Sequence, residues 1–490
     1  MQKHKISCLL MLIVIIAVSV IPSCSNTNES DRNIPNNGGN VNDGADAEFS
    51  DNASEDRSAL DDLGAYDFGG YDFKICHQFE VTASADYRLD FEELTGDVYR
   101  DEVFMRNRNI EDRFNIEIIT FGGRDPSDMR TSMLAGSNDY DAYFLRADFL
   151  FTYASEGLLY SVNDFEHINL SKKYWDDYIT NQLTVMNEKY FAVGALNFSV
   201  LDLTSVLVFN KQMVQEYGLE NPFESVKNGN WTYDKFTEMC KAATLDLDGD
   251  GVMTGSDSWG FVSRSNDVLP SLWISAGVTA TEKDNDDVPQ NTMGTEKFIN
   301  VIDKIFDMTW GSGTYFSSDL PDMFLSGNVL FNASSPFRLQ SLRGMETDFG
   351  ILPFPKLNEQ QENYNSRIGG GIFFCVGKSA SKEELDRAGI ILESMACESL
   401  KTCVPAYYDL MLKTKLARDV ESEEIIDIIF SHRVLDWIDN VWTAEIRDGP
   451  LHDMFNRKNN TIVSLNESRL DRLFTEKRDK MVEAFLLLSE

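Results

Sequence analysis

The chain is 490 residues long, 42% hydrophobic and 25% charged, a globular composition with length for roughly two or three domains. Its 80 acidic residues outnumber 44 Lys and Arg, and the formal charge of −36 excludes nucleic acid and anionic lipid surfaces as partners by repulsion. In chain order, the first feature is an apolar run from Ile6 to Ile21, behind Lys3, His4 and Lys5. It is short for a spanning helix and follows a basic start, the pattern of a secretory signal peptide over residues 1–23.

The run ends in Ile21-Pro22-Ser23-Cys24, which resembles a bacterial lipobox. That resemblance implies that Cys24 is diacylated and becomes the mature N-terminus, held on the extracellular face of the cell membrane by its lipid alone. A plain secretory signal with an incidental Cys is the alternative. Residues 24–65, rich in Asn, Asp, Gly and Ser, read as a disordered acidic tether.

The folded body is expected from Tyr66. Strands are predicted at Tyr71–Phe79, Ile116–Phe121 and Tyr140–Leu145, with helices Asp101–Phe114 and Pro126–Ala135 between them. This is the βαβ rhythm of a parallel α/β sheet. A second series follows. Strands are predicted at Lys189–Leu196, Ser205–Phe209, Val329–Asn332, Phe349–Phe354 and Ile372–Val376. Helices are predicted at Asn210–Tyr217 and at Thr232–Thr244, the latter capped by Thr232. Beyond Ser381 the chain turns strongly helical.

One local motif is specific. Asp246, Asp248 and Asp250 stand at positions 1, 3 and 5 of a twelve-residue calcium loop, with Gly251 at the sharp turn. Val252 would offer its carbonyl at position 7 and Asp257 its carboxylate at position 12. Trp259 onward looks extended rather than helical, so the expectation is one structural Ca2+ staple, not a paired sensor. A solvated acidic turn is the alternative.

Catalytic signatures are sparse, with no HExxH and no GxSxG. Gly369-Gly370-Gly371 and Gly377-Lys378-Ser379 enclose a strand-like stretch one residue too long for a phosphate loop. His77, His167, His432 and His452 are scattered. An enzyme is not expected, although so acidic a composition leaves glycosidase carboxylates open. Without its signal peptide and Cys24 the chain has an odd number of cysteines and no CxxC. Neither a zinc ribbon nor a disulfide framework follows, and Cys397–Cys403 pairing stays open. Phe149, Trp273, Phe337 and Tyr407 fall beside turns or strand ends, where rings can grip sugar faces, and each is equally open to a core role.

Several motifs in order carry a family resemblance: Leu207-Val208-Phe209-Asn210-Lys211, Asn230-Trp231-Thr232-Tyr233-Asp234-Lys235-Phe236, Leu325-Ser326-Gly327-Asn328-Val329-Leu330-Phe331-Asn332 and Gly350-Ile351-Leu352-Pro353-Phe354-Pro355. Over about residues 66–490 the chain resembles the extracellular solute-binding proteins, family 1, of ABC importers. This sugar-binding group includes the maltodextrin-binding proteins. The resemblance implies an α/β fold of two lobes with an interlobe ligand cleft and a helical C-terminal part. Lobe 1 would be 66–200 with 352–402, lobe 2 would be 203–350 with 403–490, and Asn197–Ser205 would be the hinge.

It also implies Asp148 as a hydroxyl-binding carboxylate flanked by Arg146 and Phe149, Phe337 as a stacking ring, and Trp273 and Tyr407 as further contacts. The chain lacks the group's Trp in strand Tyr140–Arg146 and at Phe337, so the ligand need not be a maltodextrin. The implied function is a lipid-anchored, monomeric receptor that delivers a carbohydrate, expected to be an oligosaccharide, to the transmembrane subunits of an ABC permease. Two other readings stay open: a secreted polysaccharide-active enzyme, and the same receptor fold serving a non-sugar ligand or sensing.

Overall fold

Local signals set most element ends. In the computed structural model, which describes residues 60–78, 89–318, 322–408 and 419–489, helix Pro126–Ala135 starts where the Asp125 side chain accepts from the Ser127 N–H, with Pro126 at its first position. It stops at Gly136, whose φ of 63° closes the last turn. Helix Val98–Phe114 begins three residues before the predicted Asp101, because Asp97 caps it through the Arg100 N–H. Helix Tyr233–Ala243 has the predicted Thr232 cap, bonded to the Lys235 N–H.

The signal peptide, Cys24 and most of the expected tether lie outside the described residues. The tether's last part does not hang free. Asp61 takes Arg113 at 2.5 Å, Asp62 takes Lys172 at 2.5 Å, and Leu63 packs on the core, so the body begins earlier than Tyr66.

Thirteen strands form among the described residues. In chain order they are β1 (Tyr71–His77), β2 (Ile116–Phe121), β3 (Ala142–Arg146), β4 (Val206–Asn210), β5 (Trp259–Ser263), β6 (Thr281–Lys283), β7 (Pro289–Asn291), β8 (Tyr315–Ser317), β9 (Val329–Ser334), β10 (Phe349–Leu352), β11 (Ser366–Arg367), β12 (Ile372–Cys375) and β13 (Arg433–Val434). The first sheet has the order β12-β3-β1-β2, with β1 parallel to both β2 and β3. The late strand β12 returns to close it antiparallel, Phe374 opposite Phe144.

The second sheet has the order β10-β4-β9-β5-β8. Here β5 runs parallel to β8 and β9, while β4 runs antiparallel to β9 and β10. Every residue of β4 and β5 is buried, as expected for strands covered on both faces. Between the sheets, residues 203–205 and 367–369 run side by side. The Ser205 N–H donates to the Arg367 carbonyl at 2.7 Å, and the Gly369 N–H to the Leu203 carbonyl at 2.9 Å.

One sequence reading needs correction, and one open question is answered. Lys189–Leu196 is not a strand but irregular chain with one isolated bridge, Gly194 to Trp175. The Val193 N–H is taken by the Thr180 hydroxyl at 2.9 Å, and a Cβ on Gly194 would collide with the Trp175 ring, so the segment is held against residues 174–176 without a continuous strand ladder. Cys397 and Cys403 are both buried and form no disulfide.

Candidate functional site

Parallel strands bring their carboxyl ends to one edge, and open α/β sheets bind ligands outside that edge. On the first sheet, β3 ends at Arg146 and helix Ala147–Ser155 starts at once, with Asp148 in its first turn where the helix dipole favours a carboxylate. The Arg146 N–H donates to Gln78 Oε1 at 3.2 Å. Its Nη2 holds Asp148 Oδ2 at 2.5 Å, and the guanidinium lies 5.7 Å from the Phe149 ring centre.

Burial raises the Asp148 pKa, and the Arg146 charge opposes that rise. Among the described residues the other oxygen, Oδ1, is buried without a hydrogen-bond partner. Asp148, Phe149 and Thr152 line a cavity of about 440 Å³, completed by Trp442, Glu445, Lys477 and Lys480. Trp442, Lys477 and Lys480 were not among the expected ligand residues. A larger cavity, about 660 Å³, is lined by Trp175, Tyr178, Tyr408, Phe430 and Arg433 and includes none of the expected ligand residues.

The second sheet's carboxyl edge is built differently. β5 leads into Arg264 and helix Ser265–Ser275, which carries Asp267. β9 leads into the short helix Pro336–Leu339, which carries the half-buried Phe337 and Arg338. Asp267 collects Arg264 Nε at 2.8 Å, Arg338 Nη1 at 2.7 Å and Arg367 Nη1 at 3.6 Å. Arg367 reaches on to Asp439, which also takes Arg447 Nη1 at 2.7 Å.

Burial acts to raise Asp439, but Arg367 and Arg447 together hold it below the usual carboxylate value. Nearby Asp436 accepts from the Ala280 N–H, and burial, then the Asp439 charge, push it up to about 7. None of this network was read from the sequence. The available signal was an Arg close behind each of two strand ends, Arg264 directly after β5 and Arg338 four residues after β9.

Two expected ligand residues are core instead. Trp273 is fully buried and packs 5.8 Å from Phe298. Tyr407, 1% exposed, is sandwiched by Phe198 and Tyr99 and donates its hydroxyl to Asp202. Neither ring has a face to offer. Arg146, Asp148 and Phe149 come together on the first sheet; Phe337 stands on the second.

The acidic loop is closed at its base by the Leu245–Ser258 bridge. Asp246 accepts from the Gly249 and Gly251 N–H groups at 2.7 Å each, Asp248 from the Asp250 N–H at 3.1 Å, and Asp250 from the Val252 N–H at 2.7 Å. One carboxylate oxygen from each of Asp246, Asp248 and Asp250 lies within 4.8 Å of the others, a spacing a cation could bridge. Asp257, expected as a fourth carboxylate ligand, lies outside this group of three. It accepts from the Thr254 and Leu247 N–H groups, which lower its pKa.

Among the described residues no helix is long and apolar enough to cross a membrane. Comparison with curated proteins gave no match. Several solved structures share the fold. A sugar transporter from Rhizobium etli in an open conformation has a TM-score of 0.56 at 13% identity, covering 85% of this chain and 99% of that one. The cyclic alpha-maltosyl-1,6-maltose binding protein from Arthrobacter globiformis scores 0.56 at 11% identity, covering 86% and 99%. An ABC substrate-binding protein from Listeria monocytogenes, in complex with cycloalternan, scores 0.50 at 12% identity, covering 85% and 99%.

At such identities the likeness establishes the fold, two α/β lobes each built on its own sheet. The sequence profile described as bacterial extracellular solute-binding protein matches residues 109–398, more than half of the chain. The protein is a member of the bacterial extracellular solute-binding protein family.

Proposed function

We propose that the protein is the capturing receptor of an ABC importer. It binds a carbohydrate, an oligosaccharide, between its lobes and hands it to the transmembrane subunits of the permease. The observation that carries this is Asp148 beside Phe149. A buried oxygen without a partner costs about 1–3 kcal/mol, and a sugar hydroxyl would satisfy it while the adjacent ring covers an apolar sugar face. The sugar ligands of the structural relatives support the same reading.

The step is binding and lobe closure rather than bond breaking, driven by the ligand's differential affinity for the closed arrangement. The receptor acts as a monomer, anchored outside the cell through lipid on Cys24, and Ca2+ on Asp246, Asp248 and Asp250 stiffens the second lobe. Calorimetry against a panel of oligosaccharides tests the main claim. Saturable binding with intact sugar recovered afterwards supports it. Release of shorter sugars would make the protein an enzyme and overturn it.

A further inference from the structure

The first lobe carries a side-chain cluster outside both cavities. Glu166 and His167 lie just after the short turn Val162–Asp164, and Asp386 lies one turn into the helix Lys382–Lys401. One carboxylate oxygen of Glu166, one of Asp386 and a ring nitrogen of His167 all fall within 4.8 Å of one another. None of the three lines the Asp148 cavity or the larger one. The sequence left His167 as one of several scattered histidines, because Asp386 stands far along the chain.

Packing fixes this seat. The His167 ring stands edge-on to Tyr66, with 6.0 Å between centres. Gly389, one turn beyond Asp386, lets the segment lie close: a Cβ there would meet the Phe165 ring at 3.2 Å and the His167 Cβ at 3.7 Å. Hydrogen bonding is left undone. Asp386 Oδ1 is buried without a hydrogen-bond partner among the described residues. The Glu166 carboxylate and both His167 ring nitrogens make no hydrogen bond among them either. The cation between the two carboxylates is Lys382, whose Nζ stands 3.7 Å from Glu166 and 3.6 Å from Asp386, too far for hydrogen bonds. Its side chain is 76% exposed, so this ammonium marks where positive charge is favoured and is readily displaced.

We propose that Glu166, His167 and Asp386 hold a divalent ion of the zinc class, which ties residues 165–168 to the helix and fixes that edge of the first lobe. One imidazole nitrogen beside two carboxylate oxygens is a donor set that suits zinc, whereas the all-oxygen triad of Asp246, Asp248 and Asp250 suits calcium. Atoms bound to one zinc lie at most about 4.3 Å apart, twice the bond length. Closing to that separation is a short movement for Glu166, whose side chain is 66% exposed. Three protein ligands leave a fourth position for water. The net charge of −36 draws cations to the surface, and the imidazole adds selectivity for zinc over calcium and magnesium.

The test is calorimetric titration of the untagged, metal-stripped full chain with Zn2+, in excess Ca2+ and Mg2+ that fill all-oxygen sites. The described cysteines are all buried, so their thiols do not compete. Saturable uptake of one Zn2+ per chain is expected, with a melting temperature raised by about 2–3 °C at a hundredfold excess over Kd. His167→Phe keeps a ring against Tyr66 and removes both nitrogens, and it should weaken zinc binding by about tenfold or more, the scale on which losing a metal-site group acts. Asp386→Asn should do the same. Circular dichroism is the folding control, and should Asp386→Asn unfold, Glu166→Gln is measured in its place.

Absence of zinc uptake overturns the inference. So does uptake of parental strength in His167→Phe, which would place the ion elsewhere. Uptake abolished by the excess Ca2+ and Mg2+ overturns it too, because the cluster would then be an acidic surface without preference for zinc. Each of these outcomes leaves the receptor reading standing, since the site shares no residue with the sugar cavity.

Discussion

Arg367 grips Asp439 with two nitrogens, Nε at 2.6 Å and Nη2 at 2.9 Å, and both side chains are almost wholly buried. The pair ties the crossing segment, where Arg367 also accepts from the Ser205 N–H, to the C-terminal helical part. Removing one partner strands the other charge in the interior. Asp439→Ala, which leaves Arg367 and Arg447 unbalanced, should cost about 3–5 kcal/mol in urea unfolding. A loss under about 1 kcal/mol would show that water reaches the pair.

Asp436 sets a pH dependence of stability. Its folded pKa of about 7 lies above the usual carboxylate value, so between about pH 4 and 7 the folded state keeps a proton that the unfolded state has lost. Stability therefore falls as pH rises through that window, at a slope approaching about 1.4 kcal/mol per pH unit, and levels off above it. Asp436→Asn should lack this slope. Parallel stability curves for the two proteins from pH 5 to 8 would refute the assignment.

Asp148 and Phe337 are predicted to act on ligand rather than on folding. Phe337→Ala should weaken carbohydrate binding by about 1–3 kcal/mol, the worth of one well-buried apolar side chain. Asp148→Ala should cost at least as much, because hydroxyls would be buried without an acceptor. Both variants should keep the parent's circular dichroism. Unfolding of Phe337→Ala would make its ring a core residue.

The three gathered carboxylates of Asp246, Asp248 and Asp250 repel one another without a cation. Calcium that binds only the folded form would stabilise it by about 2.7 kcal/mol at a hundredfold excess over Kd. Chelation should lower the melting temperature, and Asp248→Ala should abolish that response. Calorimetric titration with Ca2+ gives an independent reading, and absence of heat in metal-stripped protein would leave a solvated turn.

Membrane attachment is predicted to depend on Cys24. Two acyl chains hold a protein stably where one does not. Cys24→Ala should move the protein from the membrane fraction to the medium, and unchanged fractionation would argue against lipidation.

Elements whose ends are marked by nearby residues were legible in the sequence. Asp125, Pro126 and Gly136 bracket one helix and Thr232 starts another, because caps and turns are set within four or five residues. The turn that gathers Asp246, Asp248 and Asp250 and the βαβ rhythm were legible for the same reason, and so was the placing of Arg146, Asp148 and Phe149 at the end of β3. Long-range packing decided the rest. Trp273 and Tyr407 were expected beside turns, yet distant rings bury them, and Lys189–Leu196 has strand-like composition but gives its Val193 N–H to the Thr180 hydroxyl and its Ala195 N–H to the Tyr174 carbonyl.

The cluster on Asp267 and Asp439 joins Arg264, Arg338, Arg367 and Arg447, residues brought together only when both strand ends, the crossing segment and the C-terminal helices meet. Charge separated by so much chain leaves no periodic or capping signal. Its partners are chosen by tertiary approach, where burial turns a weak surface attraction into a strong requirement that each charge be paired.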